Sequence, residues 1–125
     1  MIELIEGLPA PVVGLRVGGE VTRQDYERVL LPAVRAMRES HDRIRLLYVL
    51  GADFDGYSAG AIWEDAKLGA HSLLAWERIA VVTDVGWIRH LMAAFGWMIH
   101  GEIRVLGTDG EDEARAWITE GLGPG

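Results

Sequence analysis

The chain has 125 residues, with 12 basic against 19 acidic side chains, a formal net charge of −7 and half of its residues hydrophobic. That length suits one domain, and the acidic balance lacks the basic face that a nucleic-acid backbone requires, so no nucleic-acid partner is expected. The absence of cysteine excludes disulfides, thiolate metal sites and cysteine nucleophiles. The longest apolar stretch, residues 91–99, is far shorter than the roughly 20 residues that span a bilayer. Glu3 and Glu6 stand where a signal peptide would be basic, so a cytoplasmic protein with no transmembrane segment is expected.

Ile2 to Glu6 alternates imperfectly and predicts a short strand ending at Gly7. Val12 to Val17 predicts a second strand, closed by Gly18 and Gly19 and joined to the first in an antiparallel hairpin, with Pro9 and Pro11 in the turn. Thr22-Arg23-Gln24-Asp25 is a capping box with aspartate in the fourth place. Behind it Tyr26, Val29, Leu30, Ala33, Val34 and Met37 repeat at helical spacing, and Pro32 inside this stripe predicts a kink near Arg28.

Ile44 to Leu50 is nearly continuous in apolar residues and predicts a strand buried on both faces. Gly51 to Tyr57 is expected to be a loop, followed by a second helix from Ser58 to about Leu73. Arg78 to Thr83 predicts a strand, Val85 to Ile99 a third helix, and Ile103 to Leu106 the last strand. Asp109 is expected to cap a final helix whose first turn holds Glu111, Asp112 and Glu113, with Ala114, Trp117 and Ile118 on its buried edge. The order β-β-α-β-α-β-α-β-α predicts a single α/β domain over residues 1–121 with a short tail, 122–125. Its sheet is mixed, mostly parallel and five-stranded, with four helices.

In such a sheet the loops at the carboxyl ends of the strands build the site. These loops hold Asp53 and Asp55 after the third strand and Asp84 after the fourth. Three carboxylates could gather a hard cation, but aspartates beside glycine or ahead of a helix also serve as turn and cap residues. The turn-and-cap reading is adopted, with no metal and no cofactor expected. Ser58 opens the second helix, where it serves as a cap or, with a phosphate meeting free amides and the positive helix end, as a phosphoacceptor. Gly56-Tyr57-Ser58-Ala59-Gly60 has the letters of a nucleophile elbow, which leaves a small serine hydrolase as a third reading. The histidines at 41, 71, 90 and 100 have no i, i+4 spacing that suggests zinc.

Five tryptophans are many for this length. At about 100° per residue, Ile88, Leu91, Met92, Phe95, Met98 and Ile99 share one arc of the third helix, with Trp87 at its edge. Trp97 falls on the other side, beside His90. Leu68 points away from the inner face of the second helix, which also carries Trp63. Trp63, Leu68, Trp87, His90, Trp97 and Met98 therefore form the candidate partner or ligand surface, and an aromatic outer layer of this kind predicts a homodimer.

The order of elements, with Trp63-Glu64-Asp65-x-Lys67-x-Gly69 and Arg78-Ile79-Ala80-Val81-Val82-x-Asp84-x-x-Trp87, resembles the SpoIIAA-like family of small bacterial proteins, related to the STAS domains. The resemblance implies a non-enzymatic interaction module with a protein partner. STAS antagonists are switched by phosphorylation of a serine in an Asp-Ser segment after the third strand. The corresponding stretch, Asp53 to Ser58, holds no adjacent Asp-Ser pair, and Ser58 is the serine it offers. The architecture is also similar to CRAL-TRIO domains, which implies a small carrier of a lipid or other apolar ligand as the alternative. If Ser58 caps the second helix, Ser58→Ala should cost about 1 kcal/mol in urea melts, and Ser58→Asp should leave stability unchanged or higher.

Overall fold

The computed structural model describes residues 1–58, 76–95 and 101–122. Its strands are β1 (Ile2–Leu4), β2 (Val12–Val21), β3 (Ile44–Tyr57), β4 (Trp76–Val82) and β5 (Glu102–Leu106), hydrogen-bonded in sequential order into one sheet. β1 pairs antiparallel with β2, and the other pairs are parallel. The hairpin closes through the Val12 N–H, which donates to the Pro9 carbonyl at 3.0 Å. Pro9 and Pro11 thus sit where no ladder donor is needed.

Thr22 opens the helical layer. Its hydroxyl accepts from the Asp25 N–H at 3.4 Å, and the Asp25 carboxylate accepts from the Thr22 N–H at 2.8 Å, so both halves of the capping box are made. The helix then runs as α1 (Arg23–Asp25), a π-helical segment (Tyr26–Leu30) and α2 (Leu31–Ser40). Pro32 has no N–H to offer the Arg28 carbonyl, and the Leu31 N–H reaches back five residues to the Tyr26 carbonyl. The disturbance expected at Arg28 therefore takes the form of a widened turn. Tyr26, Leu30 and Val34 all stay buried across it.

Alternation along the strands feeds two cores. On one face Val13, Leu15 and Val17 of β2, Ile44 and Leu50 of β3, and Ile79 and Val81 of β4 pack beneath Tyr26, Leu30, Val34 and Ile88. Ile88 belongs to α3 (Gly86–Phe95). On the other face Val12, Leu47, Val49, Ala80 and Val82 meet Ala114, Trp117 and Ile118 of α4 (Glu111–Ile118), with Ile5 and Leu8 alongside. Gly14 also faces this side, and a Cβ there would overlap Leu8 Cδ1 and stand 3.0 Å from Ile5 Cβ.

Several boundaries differ from the expectation. β2 continues past Gly18 and Gly19 to Val21, and the stretch from Gly51 to Tyr57 is strand and not loop. Asp109 does not cap the last helix. It lies in a 3₁₀ turn, Thr108–Gly110, and Gly110 occupies the cap position without a side-chain bond. The second predicted helix, with Trp63 and Leu68, falls outside the described residues, as do Trp97 and Met98.

α4 is held at its end by arginines. Arg45 on β3 is 8% exposed; its Nε donates to Glu77 Oε1 at 2.6 Å, and its Nη1 donates to the carbonyls of Ile118 at 3.0 Å and Glu120 at 2.7 Å. Arg78 Nη1 donates to the Trp117 carbonyl at 2.9 Å. The guanidiniums of Arg78 and Arg104 lie 5.1 and 4.8 Å from the centre of the Trp117 ring. Positive groups thus meet the negative end of the helix and donate to the carbonyls of its last turn and of the residues just beyond it. Arg45→Met should cost about 3 kcal/mol, because it strands Glu77 and two carbonyls. Arg104→Met, which removes one exposed cation–π contact, should cost less than about 1 kcal/mol in the same urea melts.

Candidate functional site

Past Val82 the sheet narrows. β2 and β3 run on together, pairing Gly19 with Phe54, Glu20 with Gly56 and Val21 with Tyr57. Between the Val17–Leu50 and Val21–Tyr57 pairs, four steps along β2 are matched by seven along β3. The surplus residues are bulges, around Asp53 and again at Asp55. Glycine and aspartate punctuate turns and bulges alike, which is why this stretch looks like a loop in the sequence. Gly19 at φ +59° and Gly56 at φ +117° supply backbone conformations that side chains disfavour.

Asp53 is exposed, yet its carboxylate leans over two glycines. A Cβ at Gly18 would lie 2.7 Å from Asp53 Oδ2, and one at Gly51 would lie 2.9 Å from Oδ1. Asp55 is exposed on the second bulge. The Ser58 N–H donates to the Val21 carbonyl at 2.8 Å, so the ladder continues to the candidate phosphoacceptor and holds its backbone at the end of β3.

The ends of β4 and β5 are tied differently. The Asp84 carboxylate accepts from the Thr108 N–H at 3.0 Å and from the Thr108 hydroxyl. The hydroxyl first, and then the amide, hold the Asp84 carboxyl below the usual aspartate range. Asp84 therefore bridges two strand ends, while the turn into α3 is closed by Thr83, whose buried hydroxyl accepts from the Val85 N–H at 3.0 Å. Arg89 Nη1 donates to the Thr83 carbonyl at 3.3 Å. Asp53, Asp55 and Asp84 are not gathered: among the described residues no three His, Asp or Glu side chains come together to hold a metal.

Of the predicted surface, the described residues include Trp87 and His90, both exposed on the first two turns of α3, with Ile88 between them buried in the core. Trp87 keeps 53% of its surface in solvent. The arginines around α4 were not among the residues singled out from the sequence. The signal for them was Arg45 itself, a lone charge inside the apolar run Ile44 to Leu50.

Residues 12–119 match the family model described as SpoIIAA-like. The chain belongs to the SpoIIAA-like family. A solved structure from Shewanella loihica PV-4, an uncharacterized protein from the DUF3478 family with a SpoIIAA-like fold, is similar at 21% identity and a TM-score of 0.75. The match covers 94% of this chain and 93% of that one. At that identity the likeness shows the fold alone. No curated protein matches the sequence. Among the described residues no helix is long and apolar enough to cross a membrane.

The SpoIIAA-like sheet is also clamped to the start of α4. Arg16 on β2 reaches Glu111 with both terminal nitrogens, at 3.2 and 3.1 Å. The bond from Arg16 holds the Glu111 carboxyl below the usual glutamate range. A carboxyl depressed in the folded state stabilises fully above its unfolded pKa of about 4.3, and that stabilisation is lost as pH falls through the lower folded value. Arg16→Gln should therefore lower Tm at pH 7 and flatten its decline on acidification below about pH 4, measured by calorimetry.

Proposed function

We propose that this SpoIIAA-like protein is a non-catalytic, STAS-like interaction module that docks a protein partner at the carboxyl end of its sheet. Family membership supports a protein-interaction module at the coarse level. The observation that carries the finer reading is Trp87, a large aromatic side chain held 53% exposed on the first turn of α3, close in sequence to the bridged strand end at Asp84. Tryptophan is the residue type that most often anchors an interface, and a helix first turn on a rigid sheet presents it at little entropic cost.

The neighbouring bulged arm gives the module a place for control. A phosphate on Ser58 would add nearly two negative charges at the end of a strand segment that already carries Asp53 and Asp55, and would act on the docked partner by repulsion. A photo-crosslinking residue at position 87 should capture one discrete protein in cell extract, while the same group at Glu113, on α4 across the sheet, should not. Ser58→Asp should change the yield at position 87 with the fold intact by circular dichroism. Equal capture at both positions overturns the reading. A lipid retained on the 13.8 kDa chain in native mass spectrometry would move it to the apolar-ligand carrier.

A further inference from the structure

β5 is an edge. Among the described residues it pairs with β4 on one side and with no strand on the other. Such an edge offers a row of unpaired donors and acceptors, and charged side chains commonly guard it. Here the guards are Glu102 and Arg104, of opposite sign and two residues apart, so they share one face of the strand. Arg104 lies on the α4 face, over Trp117, whereas Ile103 and Val105 pack against the other core and stay half-buried.

The backbone phase of the edge follows from one hydrogen bond. The Leu106 carbonyl accepts from the Thr83 N–H at 2.8 Å, so the peptide groups of Leu106 are turned toward β4. Alternation turns those of Arg104 and Glu102 the same way and leaves Ile103 and Val105 with N–H and C=O directed outward. We propose that two copies of this chain join through β5, antiparallel, about a two-fold axis at Ile103.

In that register Ile103 faces the partner copy's Ile103 as a hydrogen-bonded pair, and both residues use their outward groups. Glu102 then stands opposite the partner copy's Arg104, and Arg104 opposite the partner copy's Glu102. Both are non-hydrogen-bonded positions, where Cα atoms approach to about 4.5 Å and side chains interact most closely. An axis at Arg104 would set two arginines against each other, and an axis at Val105 would set Arg104 against Leu106. The opposite edge, β1, is three residues long with Glu3 as its central residue, so self-pairing there opposes like charges. An isologous contact at β5 meets the demand of two-fold symmetry that one patch complement itself, which Glu102 and Arg104 do. The net charge of −7 on each copy opposes approach at long range, and physiological salt screens that repulsion beyond about 8 Å.

Sedimentation velocity at tens of micromolar in physiological salt tests the pairing. The wild-type chain should sediment at twice 13.8 kDa. Glu102→Arg and Arg104→Glu should each be monomeric, because each puts like charges opposite one another at both positions. An equimolar mixture of the two should recover the dimer, since the doubly basic edge of one matches the doubly acidic edge of the other. Glu102 is exposed, so Glu102→Arg leaves the fold intact and is decisive even where Arg104→Glu unfolds by losing its contact with Trp117. A monomeric wild type, a dimer that survives Glu102→Arg, or two folded variants that fail to associate when mixed would each overturn the proposal.

Discussion

A guanidinium carried into the interior by a central strand sets the position of everything on the second face of the sheet. Arg45 receives its place from β2, since its N–H donates to the Pro11 carbonyl at 3.0 Å just before that strand begins. Its side chain then reaches Glu77 on β4 and the carbonyls of Ile118 and Glu120 beyond it. One residue thus relates three elements. A buried charge is costly unless it is paired and hydrogen-bonded, and here a carboxylate and two carbonyls take three of its five N–H donors. The other end of α4 is fixed by Glu111 against Arg16, so the helix is tied down at both termini and Trp117 is delivered between Arg78 and Arg104.

With α4 anchored, the carboxyl end of the sheet is left to two separate constructions. β2 and β3 extend past the other strands as a bulged arm, with the Asp53 carboxylate lying over Gly18 and Gly51. β4 and β5 end in the bridge from Asp84 to Thr108. Asp84, among the polar residues most tempting as reactive groups, is instead occupied in joining two strand ends.

The elements governed by local rules were legible from the sequence. The Thr22–Asp25 capping box, the stripe from Tyr26 to Met37 and the doubly buried strand beginning at Ile44 depend on spacing within one segment. The misreadings share a physical cause. Residues 51–57 carry turn residues, and whether glycine and aspartate make a turn or a bulge is decided by whether a neighbouring strand is available to pair. Here β2 runs on to Val21 and supplies the partner. The helix that follows Asp84 suggests a cap, but Thr108, 24 residues away, takes its carboxylate. The role of Arg45 has no local signal beyond its charge within an apolar run, since its carbonyl partner Ile118 lies 73 residues away. The site was the less legible part because its groups are positioned by contacts of this long-range kind.

The two faces of the sheet close at different moments in the life of the chain. The first face is covered by the π-helical segment, α2 and α3, which lie between strands in the sequence and emerge alongside them. The second, lined by Val12, Leu47, Val49, Ala80 and Val82, waits for Ala114, Trp117 and Ile118, which are translated after every strand. Ile5 and Leu8 shelter a part of it near β2. At about 5–20 residues per second, a nascent sheet carries for a time an apolar surface and an Arg45 that has Glu77 but lacks the carbonyls of Ile118 and Glu120. A chain truncated before residue 111 would present a sheet covered on one side and adhesive on the other, so α4 is what closes the second apolar face.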